Sequence, residues 1–201
     1  MRHRAYRLLS IVGFLFFAWI LVLTEPPQQL AALCAAVLLH EGGPLVALRF
    51  AGMPAKRLIL LPVGLRLERE VALCGFGTEA VVYLAGPAVS LLSAAFALPH
   101  CNPEAGGMVF IFFLLSAGLG LFNLIPLPGT DGCGALRCLL FTVCHSEGTA
   151  RRILSAVTMS LSVLFFGAAA AYWIRYETGF YPLCASVYFL LSGIAERCGG
   201  Y

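Results

Sequence analysis

Charge is what this sequence has least of. Asp, Glu, Lys and Arg make up 11% of its 201 residues, and there is one aspartate, Asp131, and one lysine, Lys56. Soluble domains carry about 25% charged residues, so a water-exposed globular surface is excluded. With so few cations, a nucleic-acid partner is excluded as well. The cysteines at 34, 74, 101, 133, 138, 144, 184 and 198 contain no CxxC pair and no regular framework. That argues against a disulfide scaffold and leaves them as small apolar side chains expected to be buried. No internal repeat is present.

What fills the chain instead is apolar sequence, 60% of residues being hydrophobic. Six runs stand out: Leu8–Leu23, Leu30–Phe50, Ala80–Leu98, Met108–Pro126, Ile153–Ile174 and Phe180–Ile194. The first follows Arg2, Arg4 and Arg7, but it is longer than the roughly 7 to 15 apolar residues of a signal peptide and lacks a small-x-small cleavage site, so it reads as a membrane helix. The expected fold class is an all-α polytopic membrane protein of about six transmembrane helices. A strand-like connection, Leu58–Leu67, joins the second and third spans. Tyr172, Trp173, Tyr176 and Tyr181 mark an interfacial aromatic belt. Six spans put every Lys and Arg except Arg175 on one side. The positive-inside rule then predicts a multi-pass protein of the cell membrane with both termini cytoplasmic.

Two polar intrusions interrupt this pattern, and an ionisable residue in a span asks for a functional reason. One is His40-Glu41, in the middle of the second run. Gly42, Gly43 and Pro44 follow it, and because Pro44 has no amide for the carbonyl of His40, a kink or break is expected there. The other is Asn123-Leu-Ile-Pro-Leu-Pro-Gly-Thr-Asp131-Gly132. Pro126, Pro128 and Gly129 remove helical hydrogen bonds, so the segment from Met108 is expected to unwind and present Asp131 from irregular backbone.

These residues resemble the marks of the site-2 protease family of intramembrane zinc metalloproteases, HExxH in one membrane helix and NxxPxxxxDG in a later one. The second mark is complete in Asn123, Pro126, Asp131 and Gly132. The first reads His40-Glu41-Gly42-Gly43-Pro44, with proline in place of the second histidine. Gly86-Pro87 is similar to the family's GPxxN element, with Ser90 in place of asparagine; a helix-packing role for its small residues is sufficient by itself.

The resemblance covers residues 30–132 as a catalytic-type core, within one membrane-embedded domain, 1–201, whose flanks 1–29 and 133–201 fit the six-span, sporulation-type branch. It implies a zinc ion held by His40 and Asp131, Glu41 as the general base for metal-activated water, and Asn123 fixing an extended substrate backbone. The strand-like connection would hold that substrate by strand addition. Candidate replacements for the missing ligand are Cys74 and Cys133; His145 is far along the chain, and Cys34 falls on the face of its helix opposite His40. Substrates would be membrane-embedded or membrane-tethered regulatory proteins. With no soluble regulatory domain appended, a separate membrane regulator is expected. Two other functions fit the same residues: a catalytically inactive homologue acting as a membrane scaffold or regulator, because of Pro44, and a carrier using His40, Glu41 and Asp131 as a proton relay.

Overall fold

The computed structural model describes residues 22–52, 57–61, 64–68, 75–102, 107–144, 146–177 and 180–198. The expected first span, together with Cys74 and His145, lies outside them save for its last residues. In order, the elements are α1 (Pro27–Phe50), β1 (Arg57–Leu61), β2 (Gly64–Glu68), α2 (Phe76–Ala97) with a 3-10 turn at Leu98–His100, α3 (Met108–Leu124), α4 (Asp131–Val143), α5 (Glu147–Tyr176) and α6 (Phe180–Cys198). The chain divides into two compact units, with boundaries between Cys74 and Gly75, within α2 between Leu84 and Ala85, and within α3 between Leu121 and Phe122.

The first unit holds α1, the hairpin and the larger part of α3. Pro27 occupies the first turn of α1, where a missing amide costs nothing. Contrary to expectation, the helix runs through Gly42, Gly43 and Pro44 without a break. Pro44 still removes the amide that would bond the carbonyl of His40, but in a lipid-facing segment breaking the helix would expose further backbone groups, and one lost bond is the smaller penalty. The strand-like connection is an antiparallel pair in which Leu58 faces Leu67 and Leu60 faces Leu65. Two glycines set how closely α2 is approached. A Cβ on Gly43 would lie 2.5 Å from the carbonyl oxygen of Ala85, and one on Gly120 would lie 3.1 Å from the Cβ of Ser90.

In the second unit, α5 packs against both α4 and α6. Phe122, Phe165 and Phe189 form a ring cluster with centroids 5.8 to 5.9 Å apart. Arg137 of α4 donates to the buried Glu79 in the first turn of α2 at 2.9 Å, and the Tyr83 ring fills the space that a side chain at position 134 would need.

Burial is inverted relative to a water-soluble domain. Ser90, Ser162 and Ser186 are inside, whereas Phe50, Phe96 and Ile174 are 90%, 79% and 76% exposed. Two of these hydroxyls donate to carbonyls of their own helix, Ser162 to Thr158 at 2.8 Å and Ser186 to Leu183 at 2.7 Å. Among the described residues, three helices are long and apolar enough to cross a membrane, Pro27–Phe50, Phe76–His100 and Glu147–Tyr176, and Met108–Leu124 and Pro182–Ile194 are shorter apolar helices. This is an all-α polytopic membrane architecture. The expectation for the cysteines fails in part. Cys138 is buried, but Cys34 and Cys184 are exposed, which a small apolar side chain tolerates against hydrocarbon as well as in a core.

Candidate active site

His40 sits in the middle of α1 and is 5% exposed. Its Nδ1 is 2.9 Å from the hydroxyl oxygen of Ser90, fifty residues away on α2. Glu41 follows, half-buried. Position 44 lies one turn beyond His40 on the same helix face, and the proline there carries no donor atom. Cys34, exposed on α1, does not share the buried face of His40.

Asp131 is built differently. Helix α3 stops at Leu124, and the chain turns through Ile125–Thr130 with Leu127 and Pro128 buried. Gly129 takes φ +90°, a conformation open to glycine. The Thr130 hydroxyl lies 2.7 Å from the carbonyl oxygen of Ile125 and 2.9 Å from that of Leu127, donating toward both, and accepts from the Cys133 amide at 3.3 Å. The unwinding expected before Asp131 is therefore present. The irregular backbone at Asp131 itself is not, because the Thr130 cap starts α4 at that residue.

Gly132 explains the final letter of the motif. A Cβ there would overlap the Leu124 carbonyl and lie 3.0 Å from the carbonyl oxygen of Asn123. Only glycine lets the start of α4 return against the end of α3, which brings the backbones of Asn123 and Gly132 together. Cys133, two residues beyond Asp131 on a helix, does not face the same way, which weighs against its serving as a replacement ligand.

His40, Glu41 and Ser90 thus belong to the first unit, and Asn123, Pro126, Pro128, Asp131 and Gly132 to the second. Among the described residues no group of three or more His, Cys, Asp or Glu side chains is arranged to hold a metal ion. The donor set present, one imidazole and one carboxylate, suits zinc in kind but falls short of the three protein ligands of catalytic zinc sites. Two residues of this architecture, Ser90 as the partner of His40 and Thr130 as a helix cap, carried little sequence signal as site residues. Thr130 was findable as a Thr-Asp step opening a helical run. Ser90 was visible only as the odd member of the GPxxN-like element.

No family model and no curated protein matches the sequence. The fold is similar to that of the site-2 protease from Methanocaldococcus jannaschii, with a TM-score of 0.66 and 20% identity over 92% of this chain and 86% of that one. The chain has the site-2 protease fold.

Proposed function

We propose that this chain is an intramembrane zinc metalloprotease of the site-2 type, hydrolysing peptide bonds of membrane-embedded or membrane-tethered regulatory proteins. The observation that carries this is the likeness in fold over 92% of the chain, together with retention of His40, Glu41, Asn123 and Asp131 at the motif positions. Zinc, where bound, would be held by His40 and Asp131 and would polarise a water molecule at neutral pH. Glu41 takes the proton of the attacking water and passes it to the leaving amine. Asn123 hydrogen-bonds the substrate backbone. The substrate must be extended there, since a helix hides its scissile carbonyls in internal hydrogen bonds, and the two-stranded β1–β2 sheet offers edges for such a strand. The distribution of Lys and Arg supports a cytoplasmic placement of both termini and the hairpin.

Pro44 is the feature that sets the test. The detergent-purified protein, its Pro44→His variant and the Asp131→Ala variants of each are assayed for zinc content and for cleavage of a reconstituted single-span substrate. The proposal expects zinc in the unaltered protein that disappears with Asp131→Ala, tighter binding in Pro44→His, and cleavage that follows the metal. Zinc and cleavage appearing only when histidine is restored would overturn it and identify an inactive homologue. Proton-coupled ion flux in vesicles without any metal dependence would identify a carrier.

A further inference from the structure

We infer that Ser90 is a positioning residue for His40, committing Nδ1 of the imidazole to the protein so that Nε2 is the nitrogen that does chemistry. The inference rests on the proposed function for its use but on the first unit alone for its geometry. The two groups are 2.9 Å apart and almost wholly buried, Ser90 at 1% and His40 at 5%. Buried polar atoms at that distance are hydrogen-bonded in one direction or the other.

A hydroxyl both donates and accepts, and the site needs both roles. When Nε2 carries the ring proton, Nδ1 has the lone pair and the Ser90 hydroxyl donates to it. When Nε2 gives its lone pair to a cation, the proton sits on Nδ1 and donates to the Ser90 oxygen. The hydroxyl hydrogen then turns to a helix carbonyl, as buried serines commonly do. Two hydrogens change place, the ring proton and the hydroxyl hydrogen, and no heavy atom needs to move.

That economy matters because the surroundings leave little room. Gly43 brings α1 against Ala85 and Gly86, and Gly120 brings α3 against Ser90 and Leu91. The same stretch of α2 is therefore approached closely by a glycine from each neighbour, which fixes the Ser90 oxygen relative to the ring.

The test uses full-length protein in detergent with 15N-labelled histidine, His40 being assigned by comparison with His40→Gln, and cobalt(II) as the metal probe. Without metal, the His40 Nδ1 resonance is expected to be that of a hydrogen-bonded nitrogen, distinct from exposed His100. Ser90→Ala should move it, and Ser90→Thr, which keeps the hydroxyl, should retain it. Cobalt affinity should fall about 10- to 100-fold in Ser90→Ala, the usual effect of losing such a partner, and hold in Ser90→Thr. A His40 signal in the unaltered protein indistinguishable from His100, or unchanged signal and affinity in folded Ser90→Ala, would overturn the inference. If the 15N signature follows Ser90 while cobalt binds to no variant, Ser90 positions His40 and it is the metal-dependent function that fails.

Discussion

The two motif-bearing segments, one half of the motif set in each compact unit, solve one problem in opposite ways. Each must hold a polar side chain still inside an apolar segment. The His40 half keeps the helix intact and takes its restraint from a distant residue, Ser90, across a helix contact made close by Gly43. The Asp131 half gives up the helix for six residues and takes its restraint from neighbours in sequence, through Thr130 bonding back to Ile125 and Leu127 and Gly132 meeting Leu124. Restraint by packing is vulnerable wherever the two helices touch. Restraint by a turn is vulnerable mainly within the turn.

The largest expected effect tests a long-range tie of the Asp131 half, the pair between Glu79 and Arg137. Arg137→Met strands a buried carboxylate, and leaving a buried charge unpaired costs about 3 to 5 kcal/mol. Because the arginine side chain is 41% exposed and can turn to solvent while that of Glu79 is 7% exposed, Glu79→Gln should cost distinctly less. Unfolding by denaturing detergent measures both, and equal costs would mean that the buried end of the pair is not the anchor.

Pro44 gives the next largest effect, with the opposite sign. Proline inside a helix is disfavoured by about 3 kcal/mol relative to alanine, and α1 is continuous there. Pro44→Ala should therefore stabilise the first unit by up to that amount while leaving the His40–Ser90 contact in place. A destabilised variant would show that the missing amide is used by the fold. Smaller again are the glycine contacts. Gly43→Ala and Gly132→Ala each drive a methyl into backbone, an overpacking of about 1 to 3 kcal/mol. Gly118→Ala, on α3 with open space around it, is the control and should gain about 1 kcal/mol of helix propensity. Gly43→Ala should also shift the His40 resonance.

The same contrast decides how much was legible beforehand. Most apolar runs became helices with ends near those expected, because burial of backbone polar groups in lipid leaves few alternatives. The Leu58–Leu67 connection, broken at Pro62 and Gly64, became a hairpin. The Asp131 half could be read because its restraints are local: Pro126, Pro128 and Gly129 announce the interruption within a few residues of the carboxylate. Of the kink or break expected at His40, the break is absent, because one lost hydrogen bond costs less there than exposing further backbone groups to lipid. The Ser90 partner could not be found from spacing at all, since nothing in a linear pattern says which of several small residues on α2 will meet residue 40. The buried cysteines were overestimated for a related reason, as lipid-facing and protein-facing positions have the same composition.

The smallest effect separates a turn held by its cap from a turn held by its prolines. The Thr130 hydroxyl accepts the Cys133 amide at 3.3 Å and donates toward two carbonyls that the interruption leaves without helical partners. Thr130→Val preserves shape and removes both roles, and loss of such a cap is worth about 1 kcal/mol, within a range of about 0.5 to 2. Thr130→Ser should restore stability. If the cap positions the carboxylate as well as starting α4, metal bound through Asp131 should weaken in Thr130→Val and recover in Thr130→Ser. If instead the stability loss appears with unchanged metal affinity, Pro126, Pro128 and the backbone contact at Gly132 hold Asp131 without the hydroxyl. The cap would then serve only to start the helix.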